Sequence, residues 1–274
     1  MRAAPLLLSR MADGKPEIFS SVQGEGVSAG VASTFVRLAT CNLRCSWCDT
    51  AYTWDWSRFD RTEQTIELSV DDIAENVLSR APRNVVITGG EPLIQRRQLL
   101  PLVTRLKAAG LRVEIETNGT IAPGELGPLR AELPSPATQE SGEGPGVRAR
   151  STAPQSHSTV SLAEGVDQWN VSPKLRHAGN EGLETLPEAS LRDFAARENA
   201  FFKFVVQQES DLAEVEALRQ QFDIPPERIV LMPEGTTAAQ LNARSPWLAE
   251  TCAQRGYRFS TRLHILIWGD KRGV

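Results

Sequence analysis

Short apolar, β-branched runs alternate with longer amphipathic stretches along the chain. Thr34–Leu38 reads as a strand, and Asn84–Thr88 (NVVIT) as a buried strand that stops at Gly89–Gly90. Val70–Leu78 reads as a helix with Ser69 as its N-cap, and Arg97–Ala109 as a helix closed by Gly110. Arg112–Glu116 is a strand ending in Asn118–Gly119, and Asp167–Val171 is another, running into Ser172–Pro173. Phe201–Val206 is a further strand, followed by a helix over Ser210–Gln221. Arg228–Leu231 and Leu263–Ile267 read as the last two strands, with a helix over Thr237–Glu250 between them.

Strands alternating with helices predict parallel βαβ units, whose ligands collect at the carboxyl ends of the strands. Gly89–Glu91, Thr117–Gly119 and Ser172–Lys174 each sit just after a predicted strand, so they are expected on one rim. Leu133–Ser161 breaks the pattern. It is rich in Pro, Ser, Gly and Thr, too poor in apolar surface to offset its ordering entropy, and reads as a disordered insertion within one domain running from 17 to 274.

The 274 residues, 41% of them hydrophobic, suffice for a sizeable core. A net charge of -4 argues against general nucleic-acid binding, which needs many phosphate contacts. No run approaches the roughly 20 apolar residues of a membrane span. The apolar stretch at Pro5–Leu8 is too short for a signal peptide, so the expectation is a cytoplasmic protein. Recognisable sequence begins only at Glu17, which leaves Met11 as a second candidate start.

Three of the four cysteines, Cys41, Cys45 and Cys48, fall within eight residues. In a reducing compartment such a cluster points to metal. Three thiolates can hold three irons of a [4Fe–4S] cube and leave the fourth iron open to a small molecule. Structural zinc is the competing reading, but it wants a fourth protein ligand, and Cys252 and the three histidines are all distant in sequence.

CNLRCSWC (Cys41–Cys48) resembles the C-x3-C-x2-C signature of the radical S-adenosylmethionine (SAM) superfamily, and Thr88–Pro92 (TGGEP) resembles its GGE motif. The resemblance narrows to the 7-carboxy-7-deazaguanine synthase family through Glu17–Gly26 (EIFSSVQGEG), Arg37, Cys48-Asp49-Thr50, Val171–Lys174 and His264 with Trp268-Gly269. It spans about Glu17 to Gly269, interrupted by the insertion.

That resemblance implies an α/β fold, an incomplete (β/α)6 TIM-like barrel. It also implies a homodimer, Mg²⁺, and an electron donor such as flavodoxin or ferredoxin. The implied reaction takes 6-carboxy-5,6,7,8-tetrahydropterin to 7-carboxy-7-deazaguanine. A SAM-derived deoxyadenosyl radical abstracts hydrogen from C6, the ring contracts and ammonia leaves.

Roles follow position by position. SAM falls to Trp47, Cys48, Asp49, Gly90, Glu91, Ser172, Pro173 and Lys174. The glycines let backbone approach the methionyl ammonium and Glu91 adds negative charge. The substrate falls to the Val22-Gln23-Gly24 backbone, Glu25 at the guanidine-like end, Arg37 at the carboxylate, and Thr88, Glu116 and His264. Thr50 is the implied Mg²⁺ ligand. Plainer readings stand beside several of these: a packing role for the Trp47 ring, a turn for Thr50 or Glu25, an Asn–Gly turn at Asn118, a surface edge-strand arginine at 37, a packed histidine at 264. Two rival functions share the cysteines. A glycyl-radical-enzyme activase needs neither Gln23–Glu25 nor Arg37, and an iron–sulfur or zinc module needs no GGE.

Overall fold

A computed structural model describes residues 4–124 and 161–274. All of Leu133–Ser161 except its last residue lies outside these. The strands are β1 (Leu6–Ser9), β2 (Ile18–Val22), β3 (Ala32–Leu38), β4 (Thr65–Leu68), β5 (Asn84–Gly89), β6 (Arg112–Thr117), β7 (Gln168–Val171), β8 (Ala200–Val206), β9 (Ile229–Pro233) and β10 (Arg258–Phe259). The helices are α1 (Arg61–Gln64), α2 (Val70–Leu78), α3 (Arg96–Ala108), α4 (Leu162–Gly165), α5 (Glu188–Ala195), α6 (Asp211–Gln221), α7 (Ala238–Arg255) and α8 (Leu263–Trp268).

One sheet runs β10-β9-β8-β7-β6-β5-β3-β1-β4, with β2 also paired to β3. From β3 through β5, β6, β7 and β8 to β9 every pairing is parallel, and β10 adds a short parallel strand. The sheet does not close: this is the expected α/β architecture of an incomplete (β/α)6 barrel. Strands such as β5 (NVVITG) and β9 (IVLMP) are buried nearly throughout, as continuous apolar strands must be when both faces are covered. Helices pack their apolar stripes on the outside. In α2 the buried residues are Val70, Ile73, Ala74 and Val77, and Ser69 accepts from the Asp72 amide as its N-cap. The capping box of Thr237 and Gln240 starts α7, which runs on to Arg255 and ends at Gly256 with φ 69°.

Two readings are corrected. Leu263–Ile267 is a helix, not a strand. A short apolar run has no period that separates the two. Here only Ile265 of that run's continuation is buried, while Leu266, Ile267 and Trp268 are exposed, which a buried strand would not allow. The last strand is instead β10. Residues ahead of Glu17 also belong to the fold: β1 pairs with β3 and with β4, and Leu6 and Leu8 are fully buried. A chain started at Met11 would lack that strand. No helix among the described residues is long and apolar enough to cross a membrane.

Candidate functional site

The carboxyl ends of β3 and β5 to β9 open into one cavity. Its wall includes Cys41, Cys45 and Cys48 after β3, Gly89–Gly90 after β5, Thr117–Asn118 after β6, and Ser172 and Lys174 after β7. The three motifs expected on one rim are therefore together, apart from Glu91, Gly119 and Pro173.

Each cysteine sulfur meets an N–H donor. The Leu43 amide donates to Cys41 Sγ at 3.4 Å, Asn180 Nδ2 to Cys45 Sγ at 3.3 Å and Trp54 Nε1 to Cys48 Sγ at 3.3 Å. Donors of this kind suit thiolates that ligate metal. Burial pushes the Cys41 thiol up to about 12, with Glu91 and the neighbouring thiols adding to the rise. A thiol so placed ionises when a metal takes it. Among the described residues, no three His, Cys, Asp or Glu side chains converge closely enough to hold a single ion.

The two glycines of the turn also let it lie close against the preceding loop. A Cβ on Gly90 would lie 1.9 Å from the Thr40 carbonyl oxygen, and one on Gly89, at φ 134°, would lie 2.0 Å from that of Leu38. The Gly90 amide donates to Leu38 O and the Glu91 amide to Thr40 O. The GGE turn thus lies directly on the backbone that leads into the cysteine loop. Glu91 is fully buried and does not reach the cavity wall. Its carboxylate accepts from the amides of Leu93 and Asn118 and from Thr117 Oγ1, tying the β5 and β6 loops together. Burial raises its pKa to about 6 despite those donors.

Around the SAM-assigned residues, Trp47 lines the cavity with its buried Nε1 unpartnered among the described residues. Lys174 Nζ donates to Ser172 Oγ and stands 5.4 Å from the Trp47 ring centroid. Asp49 is ion-paired to Arg262.

Register puts Arg37 beside Thr88 and Glu116 beside Asn170 across neighbouring parallel strands, in one row facing the cavity. Thr88 Oγ1 donates to Glu116 Oε2 at 2.7 Å and Gln23 Nε2 to Glu116 Oε1 at 3.0 Å. Arg37 sits inside the sheet rather than on an edge strand, and its Nε donates to Glu17 Oε1 at 2.8 Å. The expected pterin contacts of the Gln23 and Gly24 backbone are largely taken. The Gln23 amide and carbonyl close the turn to Val31 and Gly30, and Gly24 O accepts from the Leu263 amide. Gly24 is required because a Cβ would meet His264 Nδ1 at 2.1 Å. Burial lowers the pKa of His264, which keeps the ring neutral near pH 7. The Thr50 side chain makes no capping hydrogen bond to the turn that follows it, and its hydroxyl lies 3.6 Å from Cys48 Sγ.

Glu25, expected at the guanidine-like end of the substrate, is committed elsewhere: its two oxygens pair with Lys203 and Arg262. Lys203, Arg262, Asn180 and Trp54 were all missed. Only Lys203 carried a signal, a lone charge in the apolar strand FFKFVV.

Comparison with known proteins agrees with these features. Residues 36–131 match the family model of the Radical SAM superfamily. A 7-carboxy-7-deazaguanine synthase of Pyrobaculum aerophilum is 34% identical over 94% of this chain and 95% of its own. The enzyme of the same name from Halobacterium salinarum is 35% identical over 93% of this chain and 90% of its own. The crystal structure of QueE from Escherichia coli is similar with a TM-score of 0.60 and 26% identity, covering 95% of each chain.

Proposed function

The chain belongs to the 7-carboxy-7-deazaguanine synthase family of radical SAM enzymes, and from this we propose how its cavity serves the conversion of 6-carboxy-5,6,7,8-tetrahydropterin to 7-carboxy-7-deazaguanine. The reaction contracts the pterin ring and releases ammonia. Cys41, Cys45 and Cys48 hold a [4Fe–4S] cluster, Trp47, Gly90, Ser172 and Lys174 flank SAM, and Thr50 offers a hydroxyl to Mg²⁺. Bound there, cluster and SAM supply the electron and the carbon radical. The remaining residues bind and orient the pterin.

One observation carries the substrate reading. Arg37 and Glu116 lie in one cavity-facing row with Thr88's strand between them. Two strand spacings separate their backbones by about 10 Å. A 6-carboxypterin presents a carboxylate at one end and a guanidine-like edge at the other, a span of similar length. Arg37 answers the carboxylate with a planar donor fork. Glu116 answers the guanidine-like edge, in place of Glu25. The other cavity carboxylates Glu25, Asp49 and Glu234 are ion-paired, while Glu116 has no salt bridge among the described residues. Neutral His264 closes the wall from α8.

The supporting context is a cytoplasmic homodimer served by a flavodoxin or ferredoxin. Reducing surroundings keep the three thiols free to take iron.

Anaerobic turnover of reconstituted protein with the carboxytetrahydropterin, SAM and Mg²⁺ is expected to give 7-carboxy-7-deazaguanine by mass analysis. An unconverted pterin beside SAM cleavage on a protein substrate would instead favour the activase. Arg37→Ala should raise KM for the pterin on the order of 10²-fold, the scale of a lost charge-assisted fork, with iron content unchanged. An unaltered KM would remove Arg37 from the substrate site.

A further inference from the structure

Glu17 is almost fully buried, yet nothing in the reading above employs it. Its Oε1 accepts from Arg37 Nε at 2.8 Å and from the Tyr52 hydroxyl at 3.2 Å. Its Oε2 accepts from Arg272 Nε at 2.9 Å. Burial pushes the Glu17 carboxyl up, but Arg37 and Arg272 outweigh it and hold the pKa below the usual value. The Arg272 guanidinium also donates to Ser9 Oγ, Arg10 O and Gln64 Oε1, and lies 3.7 Å from the Tyr52 ring centroid. Tyr52 follows the cysteine loop by four residues, and burial keeps its phenol neutral.

Two consequences follow from this geometry. A carboxylate can engage an arginine along its Nε side or end-on across both Nη atoms. Glu17 occupies the Nε side, so the end-on fork of Arg37 is what remains for a ligand. Charge is the second. Glu17 alone would cancel Arg37 and leave a neutral pair facing an anionic substrate. Arg272 supplies the second cation, so two guanidiniums and one carboxylate leave the cluster at +1.

We propose that Arg272 and Glu17 are positioning residues for the substrate carboxylate: Glu17 aims the Arg37 fork and Arg272 restores the positive charge that Glu17 would cancel. This rests on Arg37 being the carboxylate partner.

The test measures anaerobic binding of 6-carboxytetrahydropterin and of tetrahydropterin lacking the carboxylate to the SAM-loaded holoenzyme. The readout is the ratio of the two Kd values. Arg272→Gln should cut that preference about tenfold, the scale of one charge removed from a partly buried site, while the uncarboxylated pterin binds as before. Arg272→Lys should keep most of the preference. Adding Glu17→Gln to Arg272→Gln should restore it, because the cluster returns to +1. A merely structural role predicts the opposite, a double variant at least as poor for both ligands, and that result overturns the proposal. So does an Arg272→Gln variant with full preference. If Arg37→Ala itself keeps the preference, the Arg37 reading falls and this one with it. If Arg37→Ala abolishes it while Arg272→Gln does not, only the present inference falls.

Discussion

Replacing Cys45 with alanine should leave a protein that holds no stable four-iron cluster after anaerobic reconstitution and converts no pterin. Three thiols share the cavity wall, each oriented by its own N–H donor, and Asn180 fixes Cys45 from a different loop. Removing one leaves two anchors for a cube that already lacks a fourth. Iron and sulfide content, the visible spectrum and turnover all check the outcome. Cys252→Ala is the matched control. Cys252 lies on the buried face of α7, donates to Arg258 O and stands outside the cavity, so its loss should leave iron content at the wild-type level. Iron retained by the Cys45 variant with turnover intact would end the cluster assignment. A colourless protein holding one zinc would favour the metal-module reading instead.

Most of the parallel half of the fold was legible because strands such as β5 and β9 are continuous apolar runs that alternate with helices of amphipathic pattern. The antiparallel half was not. β1 is four residues, LLLS, and β4 is TIEL, both too short to show a period. Their assignment depends on pairing with each other and with β3, which is nonlocal information. The run at 263 failed for the same reason. Of the cavity wall, the parts carried by short motifs were legible: the cysteines, Gly89–Gly90, Ser172 and Lys174. Which way a motif's side chains point was not. Glu91 turns inward because two buried amides at the β5 and β6 loops need an acceptor there. Glu25 turns to Lys203 and Arg262, 178 and 237 positions away, which no local pattern encodes.

These long-range pairs divide the cavity's charges into two kinds. One set is neutralised within the protein: Glu25 and Asp49 against Lys203 and Arg262. The other faces the ligand unbalanced, with Arg37 in its net cationic cluster at one end and Glu116 at the other. A buried ion pair fixes geometry more than it adds stability, but breaking one is costly. The neutral set therefore builds the wall and the unbalanced set reads the substrate.

Glu25→Gln puts that division to the test. The side chain keeps its shape and loses its charge, leaving Lys203 and Arg262, both almost fully buried, with Glu116 beside Lys203 and Asp49 beside Arg262 as the remaining counter-charges. The expected loss is roughly 3–5 kcal/mol of folding free energy, the scale for breaking a buried pair from one side. Against a total of roughly 5–15 kcal/mol this lowers the melting temperature by about 10 °C in a chain of this length. Glu116→Gln should behave differently, because its partners Gln23 and Thr88 are neutral: little stability lost, much substrate affinity gone. The gap between wild type and Glu25→Gln should also depend on pH. Burial alone would raise the Glu25 pKa, but Lys203 and Arg262, with His264, hold it well below the ordinary 4.5. A carboxyl depressed on folding contributes its stability in full above its unfolded pKa and loses it as pH falls through the folded one. The difference between the two proteins should therefore be constant near neutrality and narrow on acidification below about 4.5. Denaturant unfolding at several pH values measures it. Equal stability at pH 7 with a large rise in KM would make Glu25 a substrate ligand after all, and Glu116 would lose its place opposite the guanidine-like edge.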